Sequence, residues 1–313
     1  MLVRTDIPKL LRAGMKKEFF KVYNEEVIPE YKKVAMITES SSDQETYPWL
    51  GSVASMREWK DERIPKGLLE HNFSVVNKDW EGTISVDRNE IEDEKYGQTT
   101  IKVRQLADEA RRFMGSMIFT LLNQGNLSTG TGIYAGLNIN CYDGNAFFSA
   151  AHSEGASGTQ SNLAAAALTN TSLRAAITSM KGIVDDQGKP LYVRPDLLVV
   201  NQANEWKARE LLNSTYYPEG GTEGAVVGTK VANNVLKGVV DLYVTPYVSA
   251  DNWFLLDTTR VVKPLMLQIR RKVAFDSLTE GYEKFMRKKL FFGTDWRGQA
   301  AFGMWQYAYA SYA

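Results

Sequence analysis

His71-Asn72-Phe73-Ser74-Val75-Val76-Asn77-Lys78-Asp79-Trp80-Glu81-Gly82-Thr83-Ile84-Ser85-Val86-Asp87 is the stretch on which the fold turns. Trp80, Gly82, Ile84 and Val86 alternate with Glu81, Thr83, Ser85 and Asp87, the two-residue period of a half-buried strand. With His71 to Val76 ahead of it and Asn77-Lys78-Asp79 between, the pair reads as a long β-hairpin. A two-stranded ribbon buries little by itself. Met56-Arg57-Glu58-Trp59 just upstream adds aromatic and charged side chains of the kind that dock on a partner. Residues 49–96 therefore read as an extended loop reaching a neighbouring molecule through Arg57, Glu58, Trp59, Phe73 and Trp80. The competing reading is that the strand joins a larger sheet of its own chain.

On the N-terminal side, Asp6 is positioned to cap a helix with Ile7 and Pro8 in its first turn. Leu11, Met15, Phe19 and Val22 recur at helical spacing, and Phe20, Tyr23 and Val27 form a second apolar stripe. Such a helix either bridges two surfaces or is buried in its own domain. Residues 38–48 are polar and read as an extended connector.

On the C-terminal side, Ile101, Leu106, Ala110, Phe113, Met117 and Leu121 predict a helix over 99–124, ended by Gly125. Its length is about 37 Å, enough for the spine of a domain. A helix over 171–184, a buried strand Leu197–Val200, a helix from Gln202 to Leu212 and strands over 239–244, 253–256 and 261–269 follow. Residues 213–235 carry Gly220, Gly221, Gly224 and Gly228 and are too long for an ordinary connection, which points to an interface role. Helices and strands are interspersed, so the class is α+β.

Of 313 residues, 44% are hydrophobic and 24% charged, which supports a packed core and excludes a disordered chain. The 37 basic and 37 acidic side chains cancel. A dedicated nucleic-acid reader shows a basic excess, so any DNA contact must be local. The candidates are Arg270, Arg271 and Lys272 with Arg287, Lys288 and Lys289, which could meet on adjacent strands. They form either a DNA-facing patch acting on phosphate charge or a solvated, ion-paired face. Cys141 is the single cysteine, which rules out an intramolecular disulfide and fits a small buried thiol. No signal core or membrane-length apolar run is present.

A search for chemistry finds no catalytic, cofactor-binding or metal-ligating set. His71 and His152 are the only histidines, and His152 reads as an exposed loop residue. There is no nucleophile elbow, and Gly224–Lys230 inverts the order a phosphate loop needs. Glu90, Glu92, Asp93 and Glu94 suit the approach to a helix N-terminus.

Val86-Asp87-Arg88-Asn89-Glu90-Ile91-Glu92-Asp93, Arg57-Glu58-Trp59 upstream, and Tyr142-Asp143-Gly144-Asn145-Ala146-Phe147-Phe148 with His152 downstream resemble the Mu-like phage major head subunit family. Pro195–Val200 with Trp206–Leu212 behind it is similar to the strand–helix pair of tailed-phage capsid proteins. The resemblance covers nearly the whole chain and implies the HK97-type capsid fold. It implies an N-terminal arm at 1–48, the extended loop at 49–96, a peripheral domain with its spine helix at 97–190, an axial domain at 191–262 and a return to the peripheral domain at 263–313. It further implies a non-enzymatic shell subunit that assembles with itself, through pentamers and hexamers, into an icosahedral virion capsid around double-stranded DNA. Assembly is expected in the host bacterial cytoplasm, without cofactor or membrane. Separate scaffold and portal proteins are expected, since no scaffolding-like segment precedes the first helix. The alternatives are an encapsulin-like compartment and, from another class, a hydrolase pairing His152 with a distant serine.

Overall fold

A computed structural model describes residues 7–25, 31–48, 73–92, 96–218, 231–249, 251–279, 286 and 288–313. Two sheets carry the architecture. The first has four strands in the order Ala35–Glu39, Leu265–Leu278, Lys289–Phe302 and Lys78–Asp87. Its first pair is parallel and the rest antiparallel. From Leu290 to Gly298 buried residues alternate with half-buried ones, so one face packs and the other is partly open, whereas Gly298–Ala300 are buried on both faces.

The packed face is covered by the helix Tyr96–Asn123, about 42 Å long. Among its buried residues Val103, Ala107, Ala110, Met114, Met117 and Leu121 recur at steps of three and four and form one stripe, which Ile118, Phe119 and Leu122 widen toward the C-terminal end. The helix Ile7–Tyr23 lies alongside it. Leu11, Met15 and Phe19 are buried, with the Phe19 ring 4.8 Å from that of Phe275, while Phe20, Val22 and Tyr23 pack at the core's edge. Their described residues are thus satisfied largely within the chain, the second of the two readings left open by the sequence, while Val27 of the second stripe lies outside the described residues.

The second sheet has five strands in the order Asp241–Val244, Leu197–Val200, Trp253–Leu256, Ala308–Ser311 and Leu163–Ala164. Leu197–Val200 is buried at every position, as a central strand covered on both faces must be. The helices Asn170–Lys181 and Glu205–Asn213 flank it in sequence. The first starts on a reciprocal cap, with the Thr169 hydroxyl accepting from the Ser172 N–H and the Ser172 hydroxyl from the Thr169 N–H.

Three expectations change. The hairpin across 77–79 does not form. Only Asn77 separates Ser74–Val76 from Lys78–Asp87, too little for a turn. Its N–H donates to the Asp43 carbonyl at 2.8 Å, and its amide NH₂ reaches the Ser40 hydroxyl at 2.8 Å. The chain therefore runs straight on. Ser74–Val76 pairs with Gln44–Thr46, and Lys78–Asp87 pairs with Lys289–Phe302. The alternative reading, a strand of the chain's own larger sheet, holds for 78–87.

Residues 38–48 are more ordered than a connector. Glu45 gathers the Ser41 and Ser42 N–H groups at 2.6 and 3.0 Å and the Ser40 hydroxyl at 2.9 Å. Those bonds, the backbone donors first, hold its carboxyl down at about 2. The strand expected over 261–269 instead spans Leu265–Leu278, since pairing with Lys289–Phe302 resumes beyond the register shifts on either side of Arg271.

The five-stranded sheet gathers strands from well-separated stretches of the chain. Leu163–Ala164 and Ala308–Ser311 both belong to the five-stranded sheet. Trp253–Leu256 needs a partner on its second edge, and the C-terminal strand supplies it.

Candidate functional site

Trp80, expected to face a neighbouring molecule, is held by its own chain. Its indole N–H donates to the Gly298 carbonyl at 3.0 Å. Its ring lies 6.5 Å from Trp296 in a stack and 5.1 Å from Phe113 of the long helix. Gly298 makes the stack possible, since a Cβ there would sit 2.3 Å from the Gln268 carbonyl and 2.4 Å from the Trp296 ring. Phe73 is half-buried and packs against the core. Arg57, Glu58 and Trp59 lie outside the described residues.

The two basic triplets are not brought together. Arg271 is opposite Arg297, whereas Lys289 is opposite Asp87 near the other end of the same strand. The separation is about 26 Å along the strand. Arg271 pairs with Asp295 and lies 3.8 Å from Asp79. Lys272 lies 3.7 Å from Glu39, with both side chains exposed. Arg270 donates to the Ser40 carbonyl at 3.4 Å. Lys288 and Lys289 are exposed at the strand's start, and Arg287 lies outside the described residues. Glu90 pairs with Lys102 of the long helix at 3.1 Å, which favours the structural reading of the acidic run.

His152 overturns its expectation as an exposed residue, since its side chain has 0% exposure. Its Nδ1 meets Asp143 at 2.6 Å, its Nε2 meets the Phe147 carbonyl at 3.3 Å, and its ring stacks on Trp305 at 4.0 Å. Both ring nitrogens face acceptors and neither faces a serine, so the hydrolase alternative has no base. Burial alone would raise the Asp143 carboxyl, but His152 and the Asn145 N–H groups bring it below its ordinary value. Glu154 is buried nearby, and desolvation raises its carboxyl. Tyr142 shares the site through a 2.6 Å bond from Gln306. Burial also pushes the Cys141 thiol far up, and its sulfur faces the Gly303 carbonyl at 3.7 Å. Tyr142–Phe148 and His152 are therefore a joint that fastens a loop to the C-terminal segment. The motif was visible in sequence, but Trp305, more than 150 positions away, carried no local signal. Among the described residues no group of three or more His, Cys, Asp or Glu could hold a metal, and no helix is long and apolar enough to cross a membrane.

A long helix laid on a four-stranded sheet, joined to a five-stranded sheet with flanking helices, is the subunit fold of HK97-type capsids. The fold matches the procapsid of bacteriophage JBD30 with a TM-score of 0.56 and 22% identity over 99% of this chain and 76% of that one. It matches a virus-like particle from Pyrococcus furiosus with a TM-score of 0.54 at 8% identity, covering 96% and 98%. The chain belongs to the Mu-like prophage major head subunit gpT family, whose model matches residues 9–167, 163–248 and 249–313. It is 25% identical to the major capsid protein of Escherichia phage Mu over 99% of this chain and 75% of that protein. It is 23% identical to the Mu-like prophage FluMu major head subunit of Haemophilus influenzae over 98% and 74%. The chain is thus a major capsid protein of a tailed phage, a structural component of the virion shell and not an enzyme.

Proposed function

We propose that copies of this chain associate into pentamers and hexamers that close into an icosahedral shell around double-stranded DNA. The observation that carries this reading is a family match running from residue 9 to residue 313 on a capsid fold. Closed symmetric products follow when each subunit offers complementary surfaces at two places. The five-stranded sheet with residues 213–235 lies toward the capsomer axis, and the helix-on-sheet body lies at the periphery. Residues 49–72 reach a neighbour. Assembly takes place in the host bacterial cytoplasm and engages separate scaffold and portal proteins, as family membership suggests. A DNA-facing role among the basic residues rests best on Lys288 and Lys289, which are exposed and have no ion pair among the described residues. The family match favours a phage head over an encapsulin-like compartment. Electron microscopy of the purified protein tests the assembly: closed shells built of five- and six-fold capsomers are expected, and a protein that stays monomeric at high concentration refutes it.

A further inference from the structure

Gln268 and Gln299 face each other across the ladder of the four-stranded sheet, and both side chains are buried, at 1% and 2% exposure. Their amides fare differently. Gln268 accepts from the Tyr47 hydroxyl at 2.7 Å and donates to Asn77 Oδ1 at 2.8 Å and the Val75 carbonyl at 3.3 Å. Gln299 has no partner for either Nε2 or Oε1 among the described residues. A buried amide left bare is destabilising, and native proteins rarely keep one without use.

Gln299 lines a pocket of about 200 Å³ with Phe73, Val75, Leu137 and Ile139 as apolar walls. Asn140 is on the same wall, and its Oδ1 is also unpartnered, although its Nδ2 is spent on the Gly144 carbonyl. Exposed Val76 and Asn138 belong to the lining, so the pocket reaches the surface. Its wall holds one donor group and two acceptors, each screened from solvent in the free subunit, among apolar side chains. That set complements a main-chain peptide unit, with its N–H and C=O, followed by one apolar side chain. The volume is below the roughly 300–1,000 Å³ of small-molecule pockets. A shell subunit's commonest macromolecular neighbour is another copy of itself.

We infer that the pocket around Gln299 receives a short segment of a second copy, whose peptide group bonds the Gln299 amide while its apolar side chain fills the cavity. The contact is heterologous, hole on one subunit and knob elsewhere on the next, as a ring of five or six requires. The inference rests on the assembly proposed above.

The test uses the full-length chain and Gln299→Met, which keeps length and volume and removes the bare amide. Unassembled subunits are compared by urea denaturation, and shell yield by sedimentation. The variant is expected to be at least as stable as the parent as a subunit and to lose tenfold or more in shell yield. Ala301→Leu, which fills the pocket from a half-buried lining position, is expected to lose yield likewise with folding intact, and it decides the matter if Gln299→Met does not fold. Cryo-electron microscopy of parent shells is expected to show a neighbour's main chain within about 3.2 Å of the Gln299 amide. Parental shell yield from either folded variant overturns the inference. So does a pocket holding only ordered water, or this chain's own residues 49–72. A parent that forms no shells at all refutes instead the assembly on which the inference rests.

Discussion

His152 sits between an acid and an indole with no solvent contact, and each neighbour depends on it. Replacing it with alanine leaves the buried Asp143 carboxylate with only its Asn145 donors and removes a ring stacked at 4.0 Å. Leaving a buried carboxylate short of a hydrogen-bond donor is costly. His152→Ala is expected to destabilise the unassembled subunit by about 3 kcal/mol, from the lost ring and the lost hydrogen bond together, read from urea denaturation. Glu154 acts in the opposite sense. Burial raises its carboxyl above the ordinary 4.5, so the folded state binds its proton more tightly than the unfolded chain does. The stabilisation this provides is complete below about pH 4.5 and is lost as pH rises through the folded value. Glu154→Gln removes that dependence, and it is expected to raise subunit stability at neutral pH while flattening the fall above about pH 4.5. Equal pH profiles for parent and variant would contradict the assignment. That Asp143 and His152 belong to a distinctive motif was legible from their order in the chain. That the histidine is buried was not, because nothing near it in sequence announces Trp305.

At the scale of the element, the strand Lys78–Asp87 shows what alternation does and does not specify. Its two-residue period is real, and the inward set Trp80, Ile84 and Val86 packs against the core. Period alone does not name the strand's partner. The sequence offered its neighbour across 77–79, whereas the structure pairs it with Lys289–Phe302, more than 200 positions later. The two readings separate experimentally. A Trp80 that docks on another subunit should be replaceable without cost to the isolated chain. A Trp80 stacked on Trp296 and Phe113 should not. Trp80→Ala is expected to lower subunit stability by about 2 kcal/mol, less than a fully buried tryptophan would because the ring is only half-covered. Thermal unfolding of the unassembled protein measures it.

For the whole molecule, the sheets exchange partners across long stretches of chain, and this sets where charge ends up. The basic residues near the C-terminus looked like one patch, but Arg271 lies mid-strand opposite Arg297, well along the neighbouring strand from Lys289 at its start. Arg271 and Lys272 are drawn into ion pairs. Exposed pairs of this kind contribute little to stability, yet they reduce what is left to attract phosphate. Reversing Lys288 and Lys289 to glutamate is expected to weaken subunit binding to double-stranded DNA and to lower the salt slope by about 2, while reversal at Lys272 changes it by less. Salt-titrated binding checks this, and an unchanged slope would move DNA contact elsewhere. The sequence by itself determined the α+β class, the long helix, the fully apolar strand Leu197–Val200 and the family, because each is written in local periodicity or in short motifs in fixed order. Only the tertiary structure decided which strand lies beside which, that Ala308–Ser311 closes the five-stranded sheet, and that His152 and Gln299 are buried. Those outcomes depend on hydrogen-bond partners and packing surfaces brought together from distant parts of the chain, and local pattern carries no record of them.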